Sequence, residues 1–141
     1  HRLQLPATAP RQYGAMLRLE QSVELDHALA ELIKIRASQL NGCAFCTDMH
    51  SVDARRQGET ERRLYAVAVW RDSGFFNPRE RAALAWTEAV TLLAESQVPE
   101  DVYNLARANF SEEELVDLTL AISTINSWNR LAVSFRQSPG G

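Results

Sequence analysis

Helix punctuation constrains this chain more than any other feature. Asn77-Pro78-Arg79-Glu80 places a capping residue, a proline at the first helical position and an acid three residues after the cap. Together they satisfy the free amides that open a helix and fix where it starts. Ser111-Glu112-Glu113-Glu114 repeats the device and sets three acids at the positive end of a helix dipole. Pro10, Asp26, Thr60 and Pro99 mark further starts, while Asn41-Gly42 and Gly58 supply the left-handed backbone on which helices stop. Between these marks the apolar residues recur at helical spacing: Tyr13, Met16 and Leu17; Leu29, Leu32, Ile33 and Leu40; Ala83, Leu84, Trp86, Val90 and Leu93; Leu115, Leu118, Ile122, Ile125 and Ala132. The one alternating run, Ala66 to Val69, is flanked by helix signals on both sides. The expectation is an all-α fold of six to seven helices.

The chain has 141 residues, 45% hydrophobic and 23% charged, which suits one globular domain with a real core. That core is expected over about residues 10–136 of a single 1–141 domain, with loose ends before Pro10 and after Gln137. A net charge of −3 without a basic run gives no electrostatic footprint for nucleic acid or for a membrane surface. No apolar stretch approaches the roughly 18–20 residues of a spanning helix. The opening His1-Arg2-Leu3-Gln4-Leu5-Pro6 lacks the apolar centre of an export signal, and two cysteines cannot make a secreted disulfide scaffold. A cytoplasmic, reducing compartment is therefore expected.

In such a compartment a close cysteine pair is reactive or metal-binding rather than a structural staple. Cys43, Cys46 and His50 lie on one helical face if the segment 43–57 is a helix. Gly42 starts that helix and leaves Cys43 in its first turn, where free amides and the dipole favour a thiolate. His50 follows Cys46 by one turn, so an imidazole can take the thiol proton. The other cysteine can then capture an oxidised thiol as a disulfide. Glu31, on the margin of the preceding helix's apolar arc, can be partly buried against His50 and orient it or carry its proton onward.

Glu31, eleven intervening residues, then Cys43-x-x-Cys46-x-x-x-His50 resembles the core motif of the AhpD-like alkylhydroperoxidases of the carboxymuconolactone decarboxylase superfamily. Ile125-Asn126-Ser127-Trp128-Asn129-Arg130-Leu131-Ala132 is similar to the Asn-Trp-Asn-Arg segment of many AhpD-like proteins. The resemblance implies an AhpD-like helical fold, homo-oligomers (trimers or hexamers) and thiol-dependent reduction of hydroperoxides. It implies that Cys46 attacks the peroxide, Cys43 resolves the sulfenic acid, and His50 with Glu31 relays protons. A thioredoxin-, glutaredoxin- or lipoyl-type thiol protein is the implied reductant, and no cofactor is called for. The helix dipole alone would favour Cys43 as nucleophile, whereas the one-turn histidine favours Cys46. The sequence departs from the best-studied AhpD pattern by carrying Phe45, not a histidine, between the cysteines.

Other readings are weaker. Structural zinc sites draw on two separated ligand pairs, and no second pair accompanies Cys43 and Cys46. A c-type haem needs histidine where Thr47 stands. The decarboxylase branch does not rely on a cysteine pair. A non-catalytic oligomeric binding protein with a vestigial motif is the rival from another class. Trp128, Asn129 and Arg130 are read as packing and hydrogen-bonding residues before catalytic ones. Trp70, Phe75, Phe76 and Trp86 are read as core first and as pocket lining second, and residues 71–77 as an exposed connection whose two Phe residues suit an oligomer contact.

Overall fold

The computed structural model describes residues 2–140, and no strand occurs among them. The helices are α1 (Leu5–Thr8), α2 (Pro10–Ser22), α3 (His27–Leu40), α4 (Ala44–Arg56) and α5 (Glu61–Ala66), then a 3-10 segment (Val67–Asp72), α6 (Pro78–Thr91), α7 (Leu93–Ser96), α8 (Glu100–Asn109) and α9 (Glu112–Ser134). The all-α expectation holds, and the seven longer helices begin at the expected signals. The count rises because of two single-turn pieces. α1 precedes Pro10, where no element was expected. At Leu92 the backbone leaves helical geometry (φ −94°, ψ 44°), so Leu93 belongs to the separate turn α7.

Each start has a physical cause. Asn77 accepts from the Glu80 amide and Glu80 accepts in return from the Asn77 amide, at 2.8 and 2.9 Å. Ser111 and Glu114 form the same reciprocal pair. Asp26 accepts from the Leu29 amide at 3.1 Å and Thr60 from that of Arg63 at 3.3 Å. Gly42 has φ +68°, a conformation that strains any residue with a Cβ, so the α3–α4 turn depends on it. The alternating run around Val67 is neither strand nor regular α-helix. It tightens into the 3-10 segment, and Arg81 ties that stretch to α6 by bonding the carbonyls of Trp70, Arg71 and Ser73.

α3 is the axis of the fold and packs against α4, α6 and α9. Its faces feed three apolar clusters. Leu29 and Ile33 join Ala83, Trp86, Phe110, Leu118 and Ile122. Leu32 and Ile35 meet Val67, Trp70, Phe76 and Leu84. Ala37 packs with Cys43, Cys46, Ile125 and Ala132. Each fully buried Leu or Ile contributes about 1.5–3 kcal/mol, so α3 is anchored from three sides and is a rigid base for side chains on it.

The aromatics expected in the 71–77 connection divide. Phe75 is exposed beneath the Arg62 guanidinium, but Phe76 is buried in the second cluster and is not available for contact. Trp70 and Trp86 are also core. The Arg71 and Arg81 guanidinium groups both lie over the Trp70 ring, and its indole N–H donates to Glu88 at 2.9 Å. Glu88 also accepts from Arg36 at 2.9 Å and from Arg71, joining α3, the 3-10 segment and α6.

Candidate active site at the cysteine pair

The α3–α4 turn sets the position of the first cysteine. Cys43 lies one residue outside α4 as its N-cap, with extended backbone, instead of inside the first turn as expected. Its amide donates to the Ser38 carbonyl at 2.9 Å, continuing the turn that Gly42 permits. Its sulfur accepts from the Cys46 amide at 3.2 Å, the bond a serine or aspartate cap would make. Cys43 and Cys46 are disulfide-bonded, and both are buried.

Two turns into α4, His50 meets Glu31 of α3. The hairpin folds back so that His50 Nδ1 lies 3.1 Å from Glu31 Oε2. Both side chains are buried, and the carboxylate is deeper than the arc-margin reading suggested. Its other oxygen, Oε1, lies 3.7 Å from Nε2 of His27, one helical turn earlier on α3. With Nδ1 committed to Glu31, Nε2 is the ring nitrogen of His50 left free for chemistry.

Cys46 and His50 both open onto a cavity of about 330 Å³; Cys43 and Glu31 do not. Phe45 and Met49 of α4 form one wall, Tyr13 and Leu17 of α2 another, and Ile125, Trp128 and Leu131 of α9 a third. Tyr13 and Trp128 meet edge to face, their ring centres 5.7 Å apart. Leu3, Leu5 and Pro6 close one end beside Phe135. That closure is tied by the Arg2 amide, which donates to the Phe135 carbonyl at 2.8 Å. The cavity is thus apolar apart from Cys46, His50, Glu20, Gln137 and the tyrosine hydroxyl. Trp70, Phe75, Phe76 and Trp86 take no part in it. Sequence reasoning missed Tyr13, Met49 and the residues at the two chain ends; the helical spacing of Phe45, Met49 and Cys46 could have placed the first wall.

The Asn-Trp-Asn-Arg segment divides as expected between packing and hydrogen bonding. Asn129 is fully buried, accepts from Asn41 at 2.9 Å and donates to Ser38 at 3.0 Å. It thereby pins α9 to the turn that carries Cys43. Asn41 also donates to Asn126 at 2.9 Å, and Arg130 reaches back to the same Asn126 oxygen at 2.9 Å. Trp128 faces the cavity. Among the described residues no three His, Cys, Asp or Glu side chains are grouped to hold a metal ion.

Cys46 on an apolar cavity wall, His50 one turn further on and the buried Glu31 carboxylate behind it thus form one group. With Cys43 bonded to Cys46, the site is a disulfide-bonded cysteine pair on an AhpD-like helical fold. The chain belongs to the carboxymuconolactone decarboxylase family, whose sequence model matches residues 8–89. It is 44% identical to the uncharacterized protein YdfG of Bacillus subtilis (strain 168) over 129 residues, which cover 89% of this chain and 88% of that one. A crystal structure of a protein of unknown function from Agrobacterium tumefaciens, proposed to be the antioxidant defence protein AhpD, superposes with a TM-score of 0.94 at 44% identity, covering 99% of both chains. The fold is shared more distantly with an AhpD-core, peroxidase-related protein from Ralstonia eutropha JMP134, at a TM-score of 0.83 and 22% identity over 96% of this chain and 74% of that one. It is shared also with the debrominase Bmp8, solved with 2,3,4-tribromopyrrole, at 0.81 and 20% over 92% and 71%.

Proposed function

We propose that the protein is a thiol-dependent oxidoreductase that reduces hydroperoxides by cycling Cys43 and Cys46 between dithiol and disulfide. The observation that carries the reading is that Cys46 and His50, but not Cys43, face the apolar cavity, while Cys43 is bonded to Cys46 from behind. His50 takes the Cys46 proton through Nε2, and the thiolate attacks the outer peroxide oxygen. The O–O bond breaks, the alkoxide leaves with the proton from His50, and Cys46 becomes a sulfenic acid. Cys43 then attacks that sulfur, and its own proton leaves with the hydroxyl as water. Glu31 orients His50 and balances the imidazolium charge. Reduction of the disulfide needs two electrons and two protons from a dithiol protein of thioredoxin, glutaredoxin or lipoyl type. Such a cycle suits a reducing compartment such as the cytoplasm. The working form is proposed to be a homo-oligomer, trimer or hexamer, which sedimentation at micromolar concentration checks; a stable monomer refutes that part.

Limited hydroperoxide with a sulfenic-acid trap, read by mass spectrometry, tests the order of attack. Cys46→Ser should be inert, because a serine hydroxyl is not ionised near neutral pH. Cys43→Ser should react once and carry the trapped sulfenate on Cys46, then over-oxidise or form mixed disulfides. Trapped sulfenate on Cys43 with an inert Cys43→Ser protein reverses the roles. A decarboxylase-branch enzyme or a non-catalytic binding protein predicts no peroxide-dependent loss of thiols at all.

A further inference from the structure

The cavity that Cys46 and His50 share is one-sided in charge. Its walls are mostly apolar, and at about 330 Å³ it has the size of a small-molecule site. Among the described residues no Lys or Arg lines it, and Glu20, near the end of α2, is the carboxylate that does. Glu20 also lines a neighbouring cavity of about 170 Å³, which Lys34 lines too, whereas Lys34 does not reach the first. Lys34 Nζ lies 3.4 Å from Glu20 Oε1, and the two side chains are 14% and 30% exposed. Of this ion pair, the Cys46 cavity therefore meets the anion.

That asymmetry matters to a ligand with a charge of its own. A carboxylate leaving water for an apolar cavity loses its hydration and needs a cation or several donors in exchange. The nearby cations are engaged. His50 is on the wall, but its Nδ1 is 3.1 Å from the buried Glu31 carboxylate, so a charge on the imidazole is already matched. Arg2, at the closed end, donates from Nη1 to the Ser134 carbonyl at 3.2 Å. Lys34 is held by Glu20. The neutral donors on the wall are the Gln137 amide and the Tyr13 hydroxyl. An uncharged apolar ligand meets none of these costs and gains contact with Tyr13, Phe45 and Trp128.

We propose that this cavity selects neutral apolar hydroperoxides against carboxylate-bearing ones, and that Glu20 is the residue that sets the choice; the hydroperoxide as ligand rests on the thiol reading above. A substrate carboxylate meets Glu20 as a like charge where water screens only in part, whereas an aryl or branched alkyl hydroperoxide gives it nothing to repel. Glu20 touches no reacting atom in this account. It acts on which molecules enter, and Lys34 tempers it by offsetting part of its charge.

The test separates binding from turnover. The full chain in its disulfide form is titrated near neutral pH with the para-carboxylate of cumyl alcohol and with the methyl ester of that acid, which has similar size and no charge. Tryptophan fluorescence reads the binding, since Trp128 faces the cavity. The parent should bind the ester at least about a hundredfold more tightly than the acid. Glu20→Gln should narrow that ratio about tenfold, and Lys34→Met, which strips Glu20 of its partner, should widen it. A merely structural change moves ester and acid alike, so opposite shifts in the ratio belong to the charge. The same ratios should appear in kcat/KM when the reduced protein consumes the corresponding cumene hydroperoxides. A parent ratio near one, a ratio unmoved by Glu20→Gln, or shifts of the same sign in both variants overturns the proposal and leaves the thiol reading intact. A reduced protein that consumes neither hydroperoxide overturns the thiol reading and with it the hydroperoxide as ligand, while the alcohol ratios still decide the charge selection.

Discussion

Replacing Glu31 by glutamine removes one charge and keeps an acceptor for His50 Nδ1, so it isolates the electrostatic part of the pair. At the observed separation of 3.1 Å, the attraction between carboxylate and imidazolium is about 5 kcal/mol at an effective dielectric of about 20, and about 1 kcal/mol if water screens it fully. The cost of burying the carboxylate is carried by the folded protein both before and during proton transfer, so it largely cancels from the rate. What remains, in the proposed cycle, is the support given to His50 while it holds the Cys46 proton. Because each 1.36 kcal/mol is tenfold in rate, Glu31→Gln should slow hydroperoxide consumption by between about fivefold and, at most, about five-thousandfold. His50→Ala, which removes the proposed base, should cost about 10²–10⁴-fold. Single-turnover oxidation of the reduced protein, followed by tryptophan fluorescence or thiol titration, reads the step directly, and alkylation by iodoacetamide reads it without a peroxide. Thermal melts confirm that the glutamine protein is folded. Rates within twofold of the parent in both assays would refute the reasoning and reduce the Glu31–His50 contact to packing.

Two further outcomes concern stability. Asn129→Ala removes the buried link between α9 and the cysteine turn, leaving donor and acceptor groups of Asn41 and Ser38 short of a partner. Urea unfolding should show a loss of about 1–3 kcal/mol, and disulfide formation should become slower; a midpoint unchanged from the parent would contradict this. Burial alone would push the Glu88 carboxyl up, but hydrogen bonds from Arg71, Trp70 and Arg36 overcome it and hold the group below the ordinary carboxylate range. A lowered folded value means the stabilisation is complete above the unfolded carboxylate range and is lost as pH falls through the folded value. Glu88→Gln should therefore unfold more easily than the parent near neutral pH, by about 1–3 kcal/mol. The gap should close on acidification below that range, and a gap independent of pH would refute the assignment.

The parts of this site that were legible in the sequence are those whose geometry follows from helix spacing. Cys46 and His50 are one turn apart whatever surrounds them, and Gly42 marks a turn that brings α4 back along α3. Glu31 could be placed near His50 because a tight hairpin of two helices leaves little freedom in register. The capping boxes at Asn77 and Ser111 fixed two starts by chemistry that needs no tertiary contact. What could not be read depends on contacts between distant segments. Leu3 and Leu5 close the cavity because Arg2 bonds the backbone at Phe135 and Ser134, a meeting of chain ends that no periodicity records. Phe76 reads like Phe75 in sequence, and only its place against Leu84 and Val67 makes it core. Cys43 was expected inside the helix because its neighbours were right for one; its bond to the Ser38 carbonyl holds it a residue short, where its sulfur caps the helix. That displacement has a chemical consequence. In the disulfide-bonded structure the Cys43 sulfur has the Cys46 amide as its donor, while Cys46 lines the cavity that His50 also lines. In the proposed cycle a single residue of helix phase would separate the two sulfurs in function, with backbone stabilising Cys43 and a base serving Cys46.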